Sequence, residues 1–315
     1  MRLLFRGLFA CAAGFILTWP ASPAIACLSC SCGGSGTASD LGAAGGAASF
    51  FGMGTRWLWQ QGVSLRQVTG SFNDRGSALP VPLEGSLVTL QGTTALSYFP
   101  WPGVSLGLQA PVLGHLLDRA AWGMFGSLEA TDTARRVGGG LGDLSLQGSS
   151  QLAEWEHAGL AAWGSLSAPS GQAAGEATGL TGQGFWTGGA GLVGLAQWED
   201  WEGVANAGYQ LPLGGIPLAN PFSLGPTWLY QLHVNRRLGE HLRLGLGLNG
   251  FAGAWVATAG PAQPTAKLKL VGSALWAFSP LTGVRLAVGL DPEHVGARNA
   301  MRDLTFYLIG YQYVP

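Results

Sequence analysis

Charged residues are scarce in this chain: aspartate, glutamate, lysine and arginine together make up 10% of its 315 residues. Typical soluble proteins carry about 25%. Long apolar runs are also lacking, since beyond the N-terminal region none reaches the ~18 residues of a transmembrane helix. A chain too apolar for a water-facing surface, and without membrane helices, predicts a closed β-barrel in lipid, because closure pairs every backbone group.

The charge balance and the abundant residue types agree with this prediction. The formal net charge is −1 and no basic patch is present, which argues against a nucleic-acid partner. The chain is rich in glycine, with 52 residues, and in tryptophan, with 13. Glycine suits crowded barrel walls and turns, and tryptophan suits the boundary between lipid and water.

The N-terminus has the pattern of a secretory signal. Arg2 and Arg6 precede an apolar stretch at residues 8–17, and Ala24-Ile25-Ala26 has the small-x-small form of a cleavage site. Residues 1–26 are therefore predicted to be a signal peptide. A retained N-terminal anchor helix is the alternative.

Most of the remaining chain alternates apolar and polar residues with a period of two. That period is typical of a strand with one face in lipid and the other in a polar lumen. Clear examples are residues 104–110, 143–149, 230–235, 242–249, 267–270 and 284–291.

Connections of alternating length give the number of strands. Short, mostly aromatic turns are predicted at residues 99–103, 154–158, 198–203, 237–241 and 279–283, and longer segments rich in Gly, Pro, Ser and Ala at 70–84, 113–140, 169–183, 214–225, 258–264 and 291–301. Five short turns join ten strands, and strands near 50–68 and 302–313 bring the prediction to about twelve. We therefore predict an all-β fold: a transmembrane antiparallel barrel, closed as a meander, with its short turns on the periplasmic side of the outer membrane of a Gram-negative bacterium.

The short turns carry tryptophans that predict a periplasmic aromatic girdle, with Trp101, Trp155, Trp198 and Trp201 as its clearest members. The alternative is that they are core residues of a soluble β-sandwich. Neighbouring Glu, Asp, His and Pro residues favour the girdle, because they resist full burial.

One phrase recurs three times, with a proline and then a glycine two or three residues later at Pro111, Pro169 and Pro212. Proline cannot donate to a β-ladder, so these positions are predicted to mark where strand pairing stops. The second copy, Leu166-Ser-Ala-Pro-Ser-Gly171, resembles a phrase of the outer-membrane channels named for the phenol-degradation meta-pathway. That resemblance implies a channel for hydrophobic or aromatic compounds. The chain departs from the usual aromatic end of a barrel, since it closes with Val314-Pro315.

Three cysteines, Cys27, Cys30 and Cys32, follow the predicted cleavage site. Cys27 could carry a lipid anchor, the three thiols could bind a soft metal such as Cu(I) or Zn(II), or two could form a disulfide with one left over. Residues 33–48 are too poor in apolar residues to fold alone, and they are predicted to be a periplasmic linker or part of a plug that enters the lumen. The predicted division is thus a flexible, Cys-containing segment at residues 27–48 and the barrel at residues 49–315.

Several ionisable residues fall on the face predicted to line the lumen: Asp143, His233, Arg243, Lys267, Lys269, Arg285 and Asp291. They could set the ion preference of a pore, or pair as salt bridges that fill and stabilise the barrel. No catalytic set and no cofactor motif in its required context is present, so the sequence does not predict an enzyme.

The leading hypothesis is a passive outer-membrane channel for small, hydrophobic or aromatic solutes, with the lipid bilayer and the solute as its partners. Two alternatives stay open: a non-conducting structural or partner-binding barrel with a Cys-rich metal or docking arm, and an outer-membrane barrel enzyme. The sequence leaves the solute, the oligomeric state and the openness of the lumen undetermined.

Overall fold

The computed structural model describes residues 56–72, 78–80, 86–118, 136–171, 182, 184–214, 223–256, 263–279, 281–292 and 301–314. The predicted signal peptide and the segment with Cys27, Cys30 and Cys32 lie outside these residues. Within them, no helix is long and apolar enough to cross a membrane.

The described residues form strands throughout. Their bounds are β1 Trp57–Phe72, β2 Ala78–Pro80, β3 Ser86–Trp101, β4 Val104–Asp118, β5 Arg136–Leu141, β6 Leu144–Trp155, β7 Ala158–Ala168, β8 Trp186–Trp198, β9 Trp201–Leu213, β10 Ser223–Leu238, β11 Leu242–Val256, β12 Gln263–Ser279, β13 Thr282–Leu290 and β14 Met301–Val314.

The sheet closes on itself. Wall strands pair antiparallel with their neighbours along the chain, and the last strand, β14, pairs with the first, β1. This closing ladder runs from Trp57 opposite Val314 to Ser71 opposite Met301. The predicted antiparallel barrel is therefore confirmed, and its closure removes the unpaired edges that lipid could not satisfy.

Two of the fourteen strands are continuations of broken wall strands, so the wall contains twelve. β2 pairs with the last residues of β1, at Gly70–Phe72, beyond the point where β3 stops pairing with β1. β5 pairs with residues 112–117 of β4, toward the long-loop end, and β6 pairs with residues 104–109, toward the short-turn end. β2 and most of β5 were predicted to lie in long loops; this prediction is wrong, because both segments extend the barrel ladders.

The prediction that pairing stops at proline holds for Pro169, which directly follows β7, but fails for Pro111. β4 continues seven residues past Pro111, to Asp118. Its partner changes there, from β6, last paired at Gln109, to β5, first paired at Val112. The missing N–H of Pro111 thus falls where one partner strand ends, and its carbonyl accepts a hydrogen bond from Gly142.

The segment at residues 166–171 hydrogen-bonds to the break at residues 142–143, between β5 and β6. The hydroxyl of Ser170 accepts a hydrogen bond from the amide of Leu144 and donates one to the carbonyl of Gly142. The carboxylate of Asp143 accepts a hydrogen bond of 2.9 Å from the amide of Gly171. The carbonyl of Gly142 and the amide of Leu144 therefore obtain from Ser170, just beyond the end of β7, the partners that a regular ladder would have supplied.

All five predicted short turns are confirmed, since the hairpins β3–β4, β6–β7, β8–β9, β10–β11 and β12–β13 turn at those positions. The predicted girdle residues Trp101, Trp155, Trp198 and Trp201 are exposed at this short-turn end. Trp57, Trp59 and Trp276 are exposed at the same end, and Trp186 and Trp228 near the opposite end.

Between these two levels the outer wall is covered with exposed aliphatic side chains, among them Leu108, Leu146, Leu192, Leu232, Leu246 and Leu286. An apolar band of this kind, flanked by aromatic residues at both ends, is the lipid-facing surface of a transmembrane barrel.

Candidate functional site

The inner wall is formed by alternate residues of each strand. Their polar side chains are buried, whereas their outward neighbours are exposed and apolar. The buried polar residues include Gln60, Arg66, Thr89, Gln91, Thr93, Gln109, Ser145, Ser149, Ser167, Thr187, Glu202, Gln210, Gln231, His233, Lys267, Arg285, Asp291 and Asp303. The candidate functional site is this interior.

A cluster of five charges occupies the interior toward the long-loop end. Asp303 lies at its centre, accepting a hydrogen bond of 2.7 Å from Nε of Arg66 and contacting the ammonium groups of Lys267 and Lys269. Lys267 also binds Asp291, with 2.9 Å between Nζ and Oδ2. We call these five residues the seam cluster.

The seam cluster is held by neutral partners as well. Thr305 donates to Asp303 and accepts a hydrogen bond of 2.6 Å from Lys269. Oδ2 of Asp291 accepts a hydrogen bond of 2.7 Å from the backbone amide of Asp303. Buried charges need both opposite charges and further hydrogen bonds to offset desolvation, and this cluster has both.

The position of the seam cluster gives it a structural consequence. Arg66 is on the first strand and Asp303 on the last, so their ion pair crosses the ladder that closes the barrel. With three cations and two anions, the cluster has an excess of one positive charge. It both joins the ends of the sheet and makes this part of the interior electropositive.

A second polar group lies between the seam cluster and the short-turn end. Nε2 of His233 is 2.6 Å from Oδ1 of Asn249, and Arg285 donates to Ser273 at 2.9 Å. A cavity of about 20 Å³, lined in part by His233, Asn249 and Arg285, lies between them; it is large enough for one water molecule. Nearer the short turns, Arg243 binds Glu202 at 3.1 Å.

The wall formed by β7, β8 and the short-turn half of β9 is mostly apolar, unlike the wall that carries the seam cluster. Ala161, Val193 and Val204 are buried there in an apolar cluster, against which Trp163 and Leu195 pack. Nε1 of Trp163 donates a hydrogen bond of 2.8 Å to Oδ1 of Asn206. Apart from Glu202 near the short turns, this wall carries no charge among its described inward residues.

The indole of Trp163 rests on glycines of the neighbouring strand β8 and of β9, the strand beyond it. A Cβ at Gly208 would lie 2.3 Å from the ring, one at Gly191 2.7 Å, and one at Gly189 3.5 Å. No side chain larger than glycine therefore fits at Gly208 or Gly191 while the ring keeps its place. The indole lies flat against the wall, with one face on this floor and the other toward the interior.

Comparison with known proteins establishes the fold. The sequence matches no family model, and it matches no curated protein. The structure is similar to the crystal structure of an outer membrane channel from Pseudomonas putida F1, with a TM-score of 0.66 over 84% of this chain and 97% of that chain, at 15% identity. The chain has the fold of an outer-membrane barrel.

Two other solved structures are similar to this chain at lower TM-scores. The translocator domain of the autotransporter NalP from Neisseria meningitidis has a TM-score of 0.48 at 11% identity, covering 89% of this chain and 95% of that chain. A monoaromatic hydrocarbon channel, CymD, has a TM-score of 0.40 at 12% identity, covering 82% and 88%. The fold shared with the outer membrane channel from Pseudomonas putida F1 is consistent with the resemblance at residues 166–171.

In the outer-membrane barrel, the predicted lumen residues fall into three groups. Lys267, Lys269 and Asp291 come together in the seam cluster. Arg243, Arg285 and His233 are also inward but have separate partners. Asp143 is in the break between β5 and β6, bound to the amide of Gly171.

Sequence reasoning missed Arg66, Glu202, Asp303 and Trp163. Each follows the same alternation as its strand, as in Leu65-Arg66-Gln67 and Asp303-Leu304-Thr305. Extending the period-two pattern through every strand would have placed these residues on the inner face. It would not have joined Arg66 to Asp303, because 237 residues separate them.

Proposed function

We propose that this barrel is a passive outer-membrane channel for small solutes, with a preference for hydrophobic or aromatic ones. The observation that carries the proposal is the difference between the two inner walls. One wall carries the seam cluster, Arg285 and His233, and the other carries Trp163 over an apolar cluster. A solute with an apolar body and a polar group has complementary contacts on both.

Two further points support the proposal. The barrel shares its fold with a solved outer membrane channel along almost the whole of that chain. The phrase at residues 166–171 resembles channels for hydrophobic or aromatic compounds.

Conductance measured across planar bilayers tests the channel. In the seam cluster, the Arg243–Glu202 pair and Arg285 taken together, the cations Arg66, Arg243, Lys267, Lys269 and Arg285 outnumber the anions Glu202, Asp291 and Asp303. Because lining charges set ion preference, we expect the reversal potential in a KCl gradient to indicate a preference for anions. Replacing Arg285→Gln should reduce that preference, while Arg236→Gln, on the exposed outer face, should leave it unchanged.

Solute passage needs its own measurement. Uptake of labelled p-cresol by cells with the barrel in an otherwise intact outer membrane should exceed uptake by cells without it. Folded barrels that neither conduct ions nor raise uptake would contradict the proposal.

One observation favours the second candidate, a non-conducting barrel: the buried charges are paired with one another, as expected of salt bridges that fill an interior. Failure to conduct in the same experiment would support it. The signal peptide at residues 1–26, the Cys-containing arm at 27–48 and the absence of enzymatic activity remain predictions.

A further inference from the structure

We propose that Trp163 and Asn206 form a binding site for a planar aromatic molecule that carries an oxygen atom, such as a phenol. The inference rests on the proposed channel function, and it names the solute class and the place where the solute binds. It depends on the orientation, support and surroundings of one indole ring.

The indole of Trp163 is held in one position. Gly208 and Gly191 contact it so closely that a Cβ at either position would lie within 2.7 Å of the ring. The hydrogen bond from Nε1 to Asn206 sets its rotation in the plane of the wall. A ring held in this way loses little conformational entropy when a second ring stacks on it.

The two faces of the indole have different surroundings. The floor of glycines occupies one face of the indole, and the residue packs against the buried cluster of Ala161, Val193 and Val204. The opposite face is directed into the barrel and the residue is only half-buried. Offset stacking of two aromatic rings contributes about 0.5–1.5 kcal/mol beyond area burial, which is roughly a 2- to 10-fold gain in affinity.

Asn206 offers a hydrogen-bond donor to the polar part of the ligand. Oδ1 of Asn206 is used by the indole N–H, while its amide nitrogen has no hydrogen-bond partner among the described residues. It is therefore a donor beside the ring. A ligand oxygen that accepts this hydrogen bond would lie next to the stacked aromatic body, which fits a phenol better than toluene.

The test is ¹⁹F NMR of the barrel labelled with 5-fluorotryptophan. Trp163→Phe assigns the resonance of Trp163, and Trp228→Phe assigns that of Trp228, which is exposed on the outer wall. Adding p-cresol should shift the Trp163 resonance with saturation. The Trp228 resonance, which reports only on cresol dissolved in the detergent or lipid, should shift in proportion to concentration without saturating.

Two comparisons separate stacking and hydrogen bonding from general apolar binding. The saturated analogue 4-methylcyclohexanol should bind at Trp163 roughly 2- to 10-fold more weakly than p-cresol. Asn206→Leu should weaken binding of p-cresol but not of toluene. Equal affinity for the two alcohols, or a Trp163 response identical to that of Trp228, would overturn the proposal.

The site and the channel can fail separately. If wild-type barrel raises p-cresol uptake and a folded Trp163→Leu variant raises it equally, the site is wrong and the channel stands. If wild type raises no uptake yet Trp163 shifts with saturation, the channel is wrong and the binding site stands.

Discussion

Replacing Asp303 should weaken the barrel more than replacing any other single acid described in it. Its carboxylate contacts Arg66, Lys267 and Lys269, and its side chain is 1% exposed. Asp303→Asn keeps the size of the side chain but raises the excess of the seam cluster from one positive charge to two. Only Asp291 would then oppose three buried cations.

The expected magnitude follows from the burial. Removing one partner of a buried ion pair costs about 3–5 kcal/mol, because the remaining charge stays desolvated. The free energy of unfolding, measured by urea titration in phospholipid vesicles, should fall by this amount. Asp143→Asn is the matched control: an amide oxygen can still accept the hydrogen bond from Gly171, so we expect a loss below about 1 kcal/mol.

A double variant distinguishes charge from packing. Lys267→Met removes one of the cations released by Asp303→Asn, which returns the excess to one positive charge. The double variant should therefore regain part of the lost stability. If Asp303→Asn is no less stable than Asp143→Asn, or if Lys267→Met adds its own loss in full, the seam cluster does not stabilise the barrel through its charges.

Two further predictions concern the wall. Leu246 is 74% exposed on the outer face. If it lies near the middle of the bilayer, Leu246→Arg should lower the free energy of unfolding by about 2–4 kcal/mol, while the control Glu156→Arg, in a short turn, should have no effect. Equal losses of stability in the two variants would contradict the assignment of Leu246 to the lipid-facing surface. Gly247→Ala places a Cβ 2.2 Å from Nδ1 of His233 and should lower stability by about 1–3 kcal/mol through overpacking. The control Gly194→Ala, whose new Cβ has its nearest atom at 4.0 Å, should lower stability by less than about 0.5 kcal/mol. Thermal unfolding compares the two variants, and an equal loss would mean that the space over Gly247 is not required.

The barrel could be predicted from the sequence because lipid imposes a simple rule on each strand. Every outward side chain must be apolar, so the period of two survives in segments such as residues 242–249. The short turns could be predicted as well, because two alternating segments that pair as a hairpin leave few positions for the turn between them. Both features depend on residues close together in the sequence, so they could be predicted from a single sequence.

The breaks in the wall and the partners inside it could not be predicted in the same way. Residues 138–142 contain four glycines and one leucine and looked like a loop, yet β5 pairs there because β4 extends alongside it. Arg66 and Asp303 meet only after the sheet has closed. Such contacts depend on the register of strands far apart in sequence, which alternation alone does not determine.

The glycines connect the wall to the interior. Large inward side chains repeatedly lie across a glycine of a neighbouring strand: His233 over Gly247, Asn235 over Gly245, Tyr311 over Gly283, Lys269 over Gly289 and Trp163 over Gly191. Because each glycine leaves room at the wall, the side chain lies along the wall instead of extending toward the barrel axis. A larger residue at any of these positions would displace its neighbour inward. The positions of the glycines therefore help to set both the width of the interior and the orientation of the groups that a solute would meet.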